Sequence, residues 1–227
     1  GMVRRSPSGR PAALSQARPP QRRRGRERFA RLLDVTETLL VERPDADVTL
    51  AMIAERAGVP LPSVYHFFPN RNAILIELAR RYHQDLTEQN LQPLAPPPDS
   101  WQGLVRARHA IGRDYLNAHP AALRLFMGAG VSVEVRTLDL NGNTSMAGLR
   151  AAQMRARFDC RGLDGLDAWL GNAFGLIDGI WAISWARHGV VTDPYLEESL
   201  RAAVAYLRCY LPEHLPVLPA GGGKIVE

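Results

Sequence analysis

A chain of 227 residues with 46% hydrophobic side chains can bury a sizeable core as one large or two small domains, which excludes a wholly disordered protein. Two cysteines, Cys160 and Cys209, lie too far apart in sequence to frame a disulfide scaffold and suit a reducing cytoplasm in which both are buried thiols. The net charge of +5 is unevenly placed: residues 1–26 hold eight arginines and no acid, while the other 20 of the 28 basic residues face all 23 acids.

The leader, residues 1–25, reads as a disordered basic arm, because its Pro, Ser and Gly content cannot bury apolar surface. A first helix follows, with Phe29, Leu32, Leu33, Thr36, Leu39 and Leu40 in stripe. Residues 49–68 then describe two short helices joined by a tight turn. Leu50, Ile53, Ala54 and Ala57 fall at i, i+3, i+4 and i+7 on a helix that Thr49 can cap. Gly58 supplies the left-handed backbone that ends such a helix without steric cost. Pro60 and Pro62 restrict the next start to a helix of barely two turns, which buries Val64 and Phe68 and leaves Leu61, Ser63, Tyr65 and His66 facing outward. Two helices of this length around a glycine turn predict a helix-turn-helix.

This segment resembles the DNA-binding head of the tetracycline-repressor (TetR) family. The resemblance rests on Thr49, Ile53-Ala54, Ala57-Gly58-Val59, Tyr65 to Phe68 and Arg71, and covers residues 26–78. Pro60 stands where the family usually has Ser or Thr, and the preceding loop reads Arg43-Pro44-Asp45 without the usual glycine. Leu61, Ser63 and Tyr65 are expected on base edges, and Thr49, His66 and Arg71 on phosphates, with Pro60 at the same surface. Arg22, Arg23, Arg24 and Arg26 are expected to follow the backbone or enter the minor groove, a solubilising tail being the alternative.

A fourth helix starts near Asn70, a good N-cap, and continues through Ile74, Leu75, Leu78, Tyr82 and Leu86. The domain boundary is placed along it, giving a head over residues 26–79, a body over 80–211 and a tail over 212–227. Residues 93–98 form a stiff, proline-rich linker. In the body, residues 101–117 are one helix; Pro120 opens another that Gly128 closes; residues 137–143 read as irregular; and residues 145–158 resume helix. Asp193-Pro194 is expected to cap a last helix, with Leu196, Leu200, Val204, Leu207 and Leu211 in stripe.

Residues 168–186 carry one charge, Asp178, yet Gly171, Gly175 and Gly179 recur every fourth position. Each glycine costs about 1 kcal/mol in a helix interior, and close approach of another backbone is the usual compensation. A soluble interface is expected, not a membrane span, because Asn172 and Asp178 interrupt the stretch. The resemblance implies that the last two helices pair with their copies, so Gly171, Gly175, Gly179, Leu196, Leu200, Val204 and Leu207 are the expected dimer contacts.

The same resemblance implies an all-α protein, a three-helix head on a helical body that binds an effector and dimerises. Trp101, Tyr115, Phe126, Met127, Met154, Phe158 and Trp181 are candidate chamber residues, with core packing as the alternative reading of each. Arg108 lies at the centre of an apolar face and needs an anionic partner, Asp178 or a carboxylate or phosphate of an effector, the alternative being that it snorkels to the surface or pairs with a nearby acid. No catalytic constellation, metal spacing or cofactor motif is found. The expectation is a cytoplasmic, homodimeric repressor that binds a double-stranded operator and leaves it when a small molecule binds. An effector-independent DNA-binding regulator, or an enzyme or interaction module on the same scaffold, remain the alternatives.

Overall fold

The computed structural model describes residues 16–44, 46–128 and 132–220. Nine α-helices lie among them, in two compact units that divide after Leu78. The fold is all-α.

The first unit contains α1 (Arg23–Glu42), α2 (Leu50–Ala57), α3 (Leu61–Phe67) and the first turns of α4 (Arg71–Leu91). Leu32, Leu33, Leu39 and Leu40 of α1 are buried with Leu50, Ile53 and Ala54 of α2 and with Val64, Phe67 and Phe68. Full burial of an aliphatic or aromatic side chain contributes about 1.5–3 kcal/mol, so this shared core stabilises helices too short to persist alone. Thr49 caps α2 by accepting from Met52 N at 3.2 Å, and Gly58 closes it at φ 66. Asn70 caps α4 by accepting from Ala73 N at 2.9 Å.

Two expectations for this unit change. Both Phe67 and Phe68 are buried, because α3 ends at Phe67 and the extended Phe68 turns its ring onto Phe29 of α1, with ring centroids 4.8 Å apart. The disordered arm cannot extend to residue 25, since α1 begins at Arg23. Ahead of it, Arg18 N donates to Phe67 O at 2.8 Å, and a Cβ on Gly25 would meet Pro20 at 2.7 Å. Residues 1–15 of that arm lie outside the described residues.

The second unit runs from Ala79 and contains the rest of α4, then α5 (Trp101–Ala118), α6 (Pro120–Met127), α7 (Val133–Arg157), α8 (Leu166–His188) and α9 (Asp193–Leu207). Ser100 caps α5 and Ser132 caps α7, accepting from Gly103 N at 3.0 Å and Val135 N at 3.1 Å. Helices α8 and α9 pack along their length, joined by Trp181 Nε1 donating to Ser199 Oγ at 2.9 Å. Among the described residues no helix is long and apolar enough to cross a membrane.

Several expectations for the second unit are corrected. Residues 137–143 are helical, inside α7. Their poor propensity is overridden by packing: Gly142 lies against the His83 ring of α4, where a Cβ would sit 2.4 Å away. The cap of α9 is Thr192, which accepts from Tyr195 N at 3.4 Å, with Asp193 and Pro194 in the first turn. The tail does not begin at residue 212, because Asp159 N donates to Pro216 O at 2.8 Å, Leu218 N to Arg157 O at 2.9 Å and Trp101 Nε1 to Pro212 O at 2.9 Å. Cys209 is exposed and Cys160 only partly buried.

Gly142→Ala tests the override. Propensity alone predicts a gain of about 1 kcal/mol. The His83 ring, held against Phe126 at 4.7 Å and Asp139 at 3.5 Å, has little room to retreat. Overpacking of this kind costs about 1–3 kcal/mol, so a net loss of thermal stability is expected. A raised melting temperature would show that His83 yields freely.

Candidate functional site

The head carries exposed polar and basic groups on α3 and at the start of α1. On α3, Tyr65 and His66 are exposed and Leu61 and Ser63 half-buried, while Val64 and Phe67 hold the opposite side in the core. Pro60 is exposed at the N-cap of α3. Arg22, Arg23, Arg24 and Arg26 are exposed on the first turn of α1 and its N-cap, joined by Arg28 and Arg31 on the same helix. Helical placement fixes their spacing, which a disordered arm would leave open. Within this set Arg23 pairs with Glu27 at 3.0 Å, and Arg26 donates to Gln21 O at 3.0 Å.

Arg71 has an internal role that its sequence position did not reveal. Its Nε donates to Val48 O at 2.7 Å, and Nη2 lies 3.6 Å from Asp47. The guanidinium thereby joins the start of α4 to the segment entering α2, and any phosphate contact must be made by what remains free of it. Thr49 likewise spends its acceptor on the α2 cap, leaving its hydroxyl hydrogen for a phosphate.

The body holds a cavity of about 70 Å³. At about 30 Å³ per water this is space for about two waters or a short chain, and about half of the roughly 150 Å³ that holds a benzene ring. Of the chamber residues expected from sequence, Arg108, Phe126, Met127, Asp178 and Trp181 line it together. Trp101, Tyr115, Met154 and Phe158 do not. Trp101, Met154 and Phe158 are fully buried core residues, and Tyr115 donates its hydroxyl to Asp85 at 2.8 Å and stacks on His119. Sequence reasoning missed His83 and Asn90 of α4, His109 of α5, Asp139, Asn143 and Arg150 of α7 and Phe174 of α8. The signal for Arg150 was present, since Met146, Ala147, Arg150, Ala151 and Met154 form a helical stripe with Arg150 inside it.

Charge in this cavity is segregated. At one end, Asp139 lies 3.2 Å from Arg136 and 3.5 Å from His83, and Asp178 accepts a short hydrogen bond from Asn143. Burial, reinforced by the charge of Asp139, pushes the Asp178 carboxyl up to about 7 against the opposing pull of Asn143 and Arg136. At the other end, burial brings Arg150 down to about 9, with help from the neighbouring charge of Arg108. Burial, then the charge of Arg150, holds His109 well below the ordinary histidine range, so its ring is neutral at pH 7. The expected Arg108–Asp178 pair is not formed, because Arg108 Nη1 donates to Gln92 O at 2.8 Å.

The expected dimer residues separate into two groups. Gly175 and Gly179 are exposed on α8 with no other atom within 4 Å of a built Cβ, whereas Gly171 approaches Ala147 at 4.0 Å. Leu196, Leu200 and Leu207 are buried inside the protomer against its own helices, and Val204 is half-buried. These three leucines are therefore core rather than free contact surface.

Residues 32–78 match the family described as "Bacterial regulatory proteins, tetR family". A curated relative, "HTH-type transcriptional regulator EthR" of Mycobacterium tuberculosis, is 32% identical over 135 residues, covering 56% of this chain and 62% of that protein. The head thus matches the TetR family, and the chain spans less than two thirds of the length of the curated relative. Its match to the EthR protein of Mycobacterium bovis has the same 32% identity and likewise spans 62% of the relative's length. Among solved structures, a TetR-family transcriptional regulator from Streptomyces coelicolor superposes with a TM-score of 0.60 at 18% identity, over 80% of this chain and 79% of that one. SmeT, the repressor of the Stenotrophomonas maltophilia multidrug efflux pump SmeDEF, gives 0.57 at 18% identity over 88% and 96%. At this identity the two likenesses show the fold alone, an all-helical one that extends through the body.

Asp178 makes stability pH-dependent in a stated direction. With its folded pKa near 7, above the unfolded value near 4, the native state keeps a proton that the unfolded chain has released between those values. The stabilisation is complete below about pH 4 and is lost as pH rises through about 7. Asp178 retains some solvent access, which limits the effect to about 1–2 kcal/mol. Asp178→Asn is expected to raise the melting temperature over wild type at pH 8 and to lose that advantage towards pH 5. An equal difference at both pH values would contradict the raised pKa.

Proposed function

We propose that this protein is a homodimeric transcriptional regulator of the cytoplasm, which binds a double-stranded DNA operator through its head and is released by a small molecule held in its body. The observation that carries this reading is α3, whose core side chains fix a seven-residue helix with Tyr65 and His66 exposed, in a head that also presents the exposed arginines of α1. A helix of this kind in the major groove, with cations on the flanking phosphates, is the docking arrangement of helix-turn-helix proteins. The curated EthR relative is described as a transcriptional regulator and SmeT as a repressor, and both descriptions favour the same role here.

In this reading Leu61, Ser63 and Tyr65 meet base edges, Pro60 lies beside them, and Thr49, His66 and Arg71 sit near phosphates. One α3 reads too few base pairs for specificity alone, so two protomers are needed. The exposed face of α8 supports the pairing. Gly175 and Gly179 leave it flat, and Leu176 and Ile183 add apolar surface at 40% and 47% exposure. An effector must bind the DNA-incompetent arrangement more tightly than the competent one, since equal affinity for both shifts nothing.

The test is duplex binding by fluorescence anisotropy across a salt series. Arg24→Ala removes one exposed charge from the surface of α1 and is expected to weaken all duplexes alike, reducing the slope of log affinity against log salt by about 0.9. Ser63→Ala should instead change the preference among duplexes and leave the slope unaltered. Absence of duplex binding by the wild-type protein at low salt would contradict the reading.

A further inference from the structure

Among the described residues no acid pairs with the cationic end of the body cavity, where the Arg150 guanidinium lies 5.6 Å from the centre of the Phe174 ring. Arg108 on α5 and Arg150 on α7 both line it, and they are only 7% and 2% exposed. Their hydrogen bonds go to neutral acceptors alone. Arg108 Nη1 reaches Gln92 O at 2.8 Å; Arg150 Nη2 reaches Asn90 Oδ1 at 2.6 Å, and its Nε reaches Gln153 Oε1 at 3.0 Å. Arg108 Nε and Arg150 Nη1 are buried with no hydrogen-bond partner among the described residues. The acids of the cavity are engaged at its other end, Asp139 with Arg136 and His83, and Asp178 with Asn143. His109, packed at 4.8 Å against Phe174, is neutral and supplies no negative charge.

Two buried guanidiniums without an anion are costly, and an arrangement of this kind is ordinarily completed by an opposite charge. The two open guanidinium nitrogens, Arg108 Nε and Arg150 Nη1, can each donate to one oxygen of a carboxylate. The remaining wall is apolar, formed by Phe126, Met127, Phe174, Ile177 and Trp181. A volume of about 70 Å³ limits the occupant to a short chain of a few heavy atoms.

We propose that the cavity receives a small monocarboxylate, its oxygens accepting from Arg108 Nε and Arg150 Nη1 and its compact apolar body lying against Phe126, Phe174 and Trp181. The assignment rests on the effector reading above and specifies the chemistry of the effector. It also gives Arg150, which the sequence reading did not single out, a direct part in recognition. Asn90 and Gln153 hold the Arg150 guanidinium in place and are positioning residues.

The experiment is calorimetric titration, without DNA, of the full chain with acetate, propionate and butyrate, each compared with its uncharged amide. At least one acid is expected to bind about tenfold or more tightly than its amide, as a charge-assisted pair of hydrogen bonds requires. Arg108→Met, which loses only the bond to Gln92 O, should keep the fold by circular dichroism and abolish the preference. Arg108→Lys should recover part of it, because the charge returns without the paired geometry. No acid binding better than its amide, or a preference that survives Arg108→Met, would overturn the assignment. Anisotropy with a bound duplex separates this from the effector reading. An acid that binds through Arg108 without altering duplex affinity leaves the site standing and removes the effector role. Release of DNA by the amides alone does the reverse.

Discussion

Helix α3 spans seven residues, too few to remain helical by itself, and the first unit is organised around that constraint. Its stability comes from packing on other elements. Val64 and Phe67 enter the core from one side of the helix, and Phe68, just past its end, stacks on Phe29 of α1. The backbone of Arg18 secures Phe67 O, Gly58 sets the angle from α2, and Arg71 joins α4 to the strand of chain entering α2. With so much of α3 committed to burial, the few side chains left outside are held in one arrangement. That is what a groove-reading helix requires, since base-edge contacts demand fixed side-chain geometry.

The second unit faces the converse difficulty. Its helices are long enough to be stable, yet they bring Asp139, Asp178, Arg108, Arg150 and two histidines to one cavity. Acids and bases there are not matched one to one. Asp178 tends towards its protonated form, Arg150 loses part of its basicity, and Arg108 Nε and Arg150 Nη1 find no partner among the described residues. A body needing only stability would fill such a space with aliphatic side chains. In the proposed reading this retained charge gains when a ligand supplies the missing partner, which is how a ligand acquires differential affinity.

Signals carried within a few residues were legible in the sequence. Thr49 as a cap, Gly58 as a left-handed turn, Asn70 as the start of α4 and Gly128 as the end of α6 follow from local backbone chemistry and hold in the structure. What depended on distant residues was not legible. Helix across residues 137–143 follows from the fit of Gly142 to His83, a contact between α4 and α7 that no local propensity encodes. The leucines of α9 formed a clear apolar stripe, but periodicity cannot say whether a stripe is covered by its own chain or by a copy. Trp181 lines the cavity and Trp101 does not, because each has an apolar setting and only packing separates a core residue from a wall. Arg108 and Arg150 carry the same pattern, a cation within an apolar face, and reading that pattern in α7 as well as α5 would have found both.

The central claim is that two copies of this chain read DNA through α3. Selection of bound sites from a random duplex pool at low salt tests it most directly. The account predicts enrichment of an inverted repeat, its half-sites centred about 10 base pairs apart or a multiple of that spacing, as a two-fold protein with one reading helix per protomer requires. Enrichment of a single unrepeated element, or no enrichment over the starting pool, would contradict it.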